Sequence, residues 1–216
     1  MSKTKERELL FSPKNIRLLT SPLGKENPIT MQVLGICSAL AVTVQIKPAV
    51  VMGISVIVVT AVGNLIISAM RNSIPNRIRI IVQLVVIATL VILVDQVLRA
   101  FSYEVSKQLS VFVGLIITNC ILMGRFEAFA MANKPWPSFL DGIGNGLGYG
   151  IILVVVAVVR ELFGSGSLMG YKIIPESFYN FGYSNNGLMI MPPLTLIIVA
   201  SIIWFQRSRD KDLIEK

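Results

Sequence analysis

The sequence contains no histidine. That excludes a His-ligated haem, a His-bound zinc and a Ser-His-Asp triad within this chain. Cysteine is scarce as well, with Cys37 and Cys120 the only two. Two cysteines are too few for a disulfide framework, and alone they cannot complete a four-thiolate metal site. Charged residues make up 15% of the chain, where a soluble domain carries about a quarter. What is abundant is apolar: 54% of the 216 residues are hydrophobic, and the mean hydropathy is +0.71. This composition excludes a disordered chain and a basic nucleic-acid-binding domain. It argues against a soluble globular enzyme and points to an all-α polytopic membrane protein.

Four stretches are apolar and nearly charge-free over about 20 residues: 48–70, 78–98, 139–163 and 187–206. Two more are shorter or interrupted: 30–46, and 109–124 with its apolar character resuming past Arg125 and Glu127 to Ala132. The expectation is six membrane segments. The stretch 1–29 carries Lys3, Lys5, Arg7 and Lys14 and reads as a tail, not a signal peptide. Six spans put both termini on one side. Of the 20 Lys and Arg, only Lys47, Arg99, Lys107, Arg160 and Lys172 fall opposite the termini. The bias places both termini in the cytoplasm. It also accounts for the net charge of +8 as a mark of topology and of contact with anionic lipid.

The chain divides into a tail (1–29), a first three-helix repeat (30–100), a second (101–206) and a C-terminal tail (207–216). Each repeat opens with a short, irregular segment that carries one cysteine near its middle. A Lys-Pro pair follows each, Lys47-Pro48 and Lys134-Pro135, and then a long span containing Gly63-Asn64 or Gly144-Asn145. Three helices per half reverse the orientation of the second copy, so the reading is a 3+3 inverted repeat. Paired broken spans at matching positions then mark a site near the midplane. Arg125 and Glu127 support a break. On a continuous helix they would lie past the bilayer centre, where each costs roughly 2.5–3.5 kcal/mol on insertion scales. A break near Cys120 lowers that cost.

Three readings stand for Cys37 and Cys120: small apolar residues filling helix contacts, a disulfide, or ligands of a metal centre. Thiolates without histidine suit iron–sulfur chemistry. A 2Fe-2S cluster needs four thiolates, so a second polypeptide would have to supply two. Gly35 permits close backbone approach beside Cys37, and Asn119 offers an amide beside Cys120.

Several segments carry a resemblance: NPITMQVLGICSALAVT (27–43), NSIPNRIRIIVQ (72–83), LVDQVL (93–98), SKQLSVFVGLIITNCILMGRFEAFAM (106–131), PSFLDGIGNGLGYG (137–150) and RELFGSG (160–166). They resemble the D-subunit family of the bacterial sodium-translocating NADH:quinone oxidoreductases. The homologous E subunits of Rnf complexes share the LGxCSxLAVT pattern, but VDQVLRAF and LSVFVGLIITNC are closer to the sodium-pump wording. The resemblance implies a six-span protein paired with a homologous E subunit of opposite orientation, beside the A, B, C and F subunits, in the bacterial inner membrane. It implies an iron–sulfur centre shared by the pair, with Cys37 and Cys120 as this chain's ligands. That centre would relay electrons from the NADH-oxidising flavoprotein toward covalent flavin and quinone while Na⁺ leaves the cytoplasm. No haem is implied, nor any cofactor held by this chain alone. A metal-free inverted-repeat transporter and a membrane scaffold are the competing readings.

Asp95, Asp141, Glu127 and Glu161 lie in or at the ends of spans, where acids are rare and often line ion paths. Asp141 and Asp95 are the candidate sodium path, since Na⁺ prefers oxygen ligands. The structural alternative for each is a local partner, such as Arg99 four residues after Asp95. Arg160 and Glu161 read as surface charges at a span end. The glycine run that Asp141 opens suits tight helix packing or exposed carbonyls, not a phosphate cradle.

Overall fold

The computed structural model describes residues 13–24, 27–75, 77–101, 114–168, 171–172, 187 and 191–209. The outer tails, the segment 102–113 and most of the loop after residue 168 lie outside the described residues, as do Lys3, Lys5, Arg7, Lys25, Lys107, Lys211 and Lys216.

The described chain is essentially helical. In order, the helices are α1 (Pro13–Thr20), α2 (Ile36–Val42), α3 (Ile46–Met70), α4 (Arg79–Phe101), α5 (Cys120–Arg125), α6 (Pro135–Ser165) and α7 (Pro192–Arg209). A 3₁₀ turn (Ser21–Leu23) follows α1, and α5 runs into one π-helical turn (Phe126–Ala130). A two-residue antiparallel pair, Ser167–Leu168 with Tyr171–Lys172, follows α6. Among the described residues α3, α4 and α6 are long and apolar enough to cross a membrane. In the fourth long apolar stretch the described helix is Pro192–Arg209. Proline tolerates the first helical turn because the N–H it lacks has no partner there.

The two short segments are not continuous spans. Helix α2 has seven residues, about 10 Å at 1.5 Å per residue, a third of the hydrocarbon thickness. Its entry is a tight turn in which Val33 (φ +57°) and Gly35 (φ +82°) are left-handed. In the second segment helix at 114–117 stops at Thr118, and Asn119 restarts it as the N-cap of α5. Its side-chain oxygen accepts from the Ile121 N–H, as Asn does at helix starts. The break therefore falls just before Cys120.

The core is built where α3 and α6 cross. A Cβ on Gly142 would lie 2.8 Å from the Ala61 Cα, and one on Gly146 would lie 2.8 Å from the Ile57 Cα. Further along, Gly53 meets Gly150, where a Cβ would sit 3.3 Å from the facing Cα. As numbers rise on α6 they fall on α3, so the two helices are antiparallel. Small residues every fourth position let two backbones approach, and in lipid dispersion rather than hydrophobic burial holds such a pair. Gly144 and Gly148 serve the next face of α6, against Leu18 of α1 and Pro22 of the 3₁₀ turn. Helix α4 is peripheral, with Ile81, Val85 and Leu93 exposed.

Candidate functional site

Cys37 is the second residue of α2 and Cys120 the first of α5. Both are free, exposed thiols. Each therefore sits where a half-helix directs its unpaired backbone N–H groups and the positive end of its dipole.

The neighbours of the two cysteines meet. Asn119 Nδ2 donates to Ser38 Oγ at 3.2 Å and to the Tyr149 hydroxyl at 3.3 Å. Ser38 Oγ and Tyr149 OH are 2.6 Å apart, and Ser38 Oγ donates to the Gly35 carbonyl at 2.8 Å. Ser38, Asn119 and Tyr149 are all buried. A Cβ on Gly35 would lie 2.8 Å from Tyr149 Cε2 and 3.2 Å from Asn119 Oδ1. Gly35 and Asn119, singled out in the sequence, thus come together. Sequence reasoning missed Ser38 and Tyr149, whose signal was thin: a serine following one cysteine, and an aromatic within a glycine run.

Among the described residues no group of three or more Cys, Asp or Glu is arranged to hold a metal. The sulfur donors are two exposed thiols, each at a helix N-terminus. Helix N-termini favour negative charge, such as a thiolate carries.

The charged residues are placed individually. Asp141 is 2% exposed. Arg125 Nε donates to its Oδ2 at 3.0 Å, and Arg125 Nη2 binds its Oδ1. Asn145 Nδ2 also donates to Asp141 Oδ1, at 3.0 Å. Among the described residues nothing donates to Asn145 Oδ1. Asp141, Asn145 and Arg125 line a cavity of about 420 Å³ with Arg17, Ser21 and Gln32. Asp95 does not line it; it pairs with Arg99, Nε to Oδ2 at 2.9 Å. Glu127, on the π turn, pairs with Arg79 and accepts from Gln83 Nε2 at 3.2 Å. The charges expected to be costly past the break are thus both matched.

Arg160 and Glu161 correct the sequence reading. They are 1% and 8% exposed, not surface charges. Arg160 Nη1 donates to Thr43 Oγ1 at 2.7 Å and to the Leu40 carbonyl at 3.2 Å. Glu161 Oε2 accepts from the Ile46 N–H at 2.7 Å. A cation therefore satisfies the C-terminal end of α2 and an anion the first N–H of α3, the signs that the two helix dipoles favour. These partners lie more than 110 residues away in sequence, which is why local reading placed the pair at the surface.

The Rnf-Nqr family, described as "Rnf-Nqr subunit, membrane protein", matches residues 15–203. Curated relatives share most of the chain. A protein of Psychromonas ingrahamii, named as the D subunit of a Na(+)-translocating NADH-quinone reductase, is 59% identical over 198 residues, covering 92% of this chain and 94% of its own. The like-named protein of Aeromonas salmonicida is 58% identical over 92% of this chain and 95% of its own. That of Yersinia pestis (strain Pestoides F) is 58% identical over 93% and 96%. With a match this long and half-helices that carry its two cysteines, the chain belongs to the Rnf-Nqr family of membrane subunits.

Proposed function

We propose that this chain is an integral component of a sodium-translocating NADH:quinone reductase, and that Cys37 and Cys120 form half of an intramembrane iron–sulfur centre. The observation that carries the reading is the meeting of two thiol-bearing half-helix N-termini around Gly35, Ser38, Asn119 and Tyr149. A homologous E subunit of opposite orientation supplies the other two thiolates. The A, B, C and F subunits complete the assembly in the bacterial inner membrane, with both termini of this chain cytoplasmic.

The proposed architecture is a 3+3 inverted repeat. Helices α2, α3 and α4 answer to α5, α6 and α7, and the antiparallel crossing of α3 and α6 supports it. The centre, a 2Fe-2S cluster, supplies one-electron transfer between the NADH-oxidising flavoprotein and the covalent flavins. What this chain contributes is a fixed pair of ligands and two helix dipoles that stabilise negative charge. Asp141 serves the sodium path through the cavity it shares with Asn145, whose unpartnered Oδ1 is a second oxygen donor. Asp95 is a second candidate on that path.

The test is metal analysis of the intact complex beside Cys37→Ser and Cys120→Ser. The reading expects each substitution to remove iron and visible absorbance and to stop quinone reduction. A metal-free transporter or a scaffold expects iron and turnover unchanged. An Rnf-type protein is separated by the electron donor, ferredoxin instead of NADH.

A further inference from the structure

We propose that Tyr149 is a positioning residue that yokes the two cysteine-bearing half-helices, so that Cys37 and Cys120 move as one unit. The claim rests on the hydrogen-bond order that leaves every donor of the cluster with an acceptor. Asn119 Oδ1 accepts from the Ile121 N–H. Turning the amide over would set two donors against each other there, so Nδ2 must face inward. Tyr149 OH and Ser38 Oγ stand so close together that one amide hydrogen is shared between them. Ser38 has one proton, and it is given to the Gly35 carbonyl. With the Ser38 proton on that carbonyl, Ser38 Oγ is left as the acceptor for the Tyr149 proton across the 2.6 Å contact, and every proton of the cluster has an acceptor.

The result is a chain with one direction: Asn119 amide to Tyr149 hydroxyl, to Ser38 hydroxyl, to Gly35 carbonyl. It begins at the N-cap of α5 and ends at the N-cap of α2. Each hydroxyl in it both donates and accepts, and bonds aligned in this way polarise one another. The phenol comes from α6, the long helix already seated on α3, so both half-helix starts are referred to the helix pair that builds the core. The yoke also acts sterically. Tyr149 is fully buried, and its ring edge fills the space that a Gly35 side chain would need. Neither N-cap can shift without breaking a bond that the other depends on.

The role of the yoke in holding a metal centre rests on the function proposed above; the coupling of the half-helices does not. Tyr149→Phe keeps the ring and removes only the hydroxyl. In the intact complex, amide hydrogen exchange by mass spectrometry should show segments 34–42 and 114–125 exchanging faster together. The expected factor is about five- to tenfold, the shift that losing one net hydrogen bond makes in a local opening equilibrium. Exchange in α3 should not change. Ser38→Ala should produce the same paired change, and the double variant should be no worse than either single one. If the centre is present, Tyr149→Phe should also alter its electron-paramagnetic-resonance spectrum at full iron content. Acceleration in only one segment, or in neither, overturns the yoke. Iron retained in Cys37→Ser, beside paired acceleration in Tyr149→Phe, removes the cluster reading and leaves the yoke standing.

Discussion

Gly35→Ala isolates the contact on which the site depends. Gly35 is the N-cap of α2 at φ +82° and ψ 13°, a left-handed conformation. An L-residue there costs roughly 1–2 kcal/mol. The new methyl would lie 2.8 Å from Tyr149 Cε2, well inside contact distance, and 3.2 Å from Asn119 Oδ1. Overpacking of this kind typically costs about 1–3 kcal/mol. The ring has little freedom to yield, because its hydroxyl is held by Ser38 and Asn119. The two costs together come to about 2–5 kcal/mol. They are relieved either by unwinding the start of α2 or by swinging Tyr149 out of its hydrogen bonds. Both routes move Cys37 relative to Cys120. The assay is iron content and NADH-driven quinone reduction of the purified complex. The expected loss is more than about tenfold in turnover, as 2 kcal/mol or more at a positioning contact implies. Gly24→Ala is the control, since a Cβ there meets nothing within 4 Å. Wild-type iron and turnover in Gly35→Ala would refute the reasoning.

Asp141→Ala should weaken the sodium dependence of quinone reduction, and it should destabilise the chain by about 3–5 kcal/mol because Arg125 loses its buried partner. Replacing both members, as in Arg125→Met with Asp141→Leu, should restore thermal stability and not the sodium dependence; unchanged turnover across a sodium titration would remove Asp141 from the path. Arg160→Met should cost about 1–3 kcal/mol, because the Leu40 carbonyl and Thr43 hydroxyl lose a buried donor. That loss should appear as faster amide exchange in α2 and a lower melting temperature, and no change in either would show that Arg160 does not hold the half-helix. Val33 has φ +57° and is 55% exposed, so Val33→Gly should relieve strain of about 1 kcal/mol and raise the melting temperature. A lower melting temperature would show that the turn carries no strain.

Some of this was legible in the residues because it is set by local chemistry. Long charge-free runs announce long helices, as at α3 and α6. A break before Cys120 could be read from the cost of Arg125 and Glu127 beyond it, and Asn119 is the type of residue that restarts a helix. The Asp95–Arg99 pair lies within one helical turn, where spacing alone brings the groups together. The glycines of α6 signalled close packing, though not the residues they would meet.

By itself the sequence determined a membrane chain with matched cysteines at irregular segments, because hydropathy, breaks and caps depend on residues near one another. Only the tertiary structure decided that the segment around Cys37 is a seven-residue half-helix, and that Arg160 and Glu161 are buried at its far end. It alone decided that one phenol from α6 joins both cysteine-bearing starts. The physical reason is common to these cases. A buried polar group is stable only where its partner stands, and here the partners lie 30 to 120 residues away, a distance that no local pattern encodes.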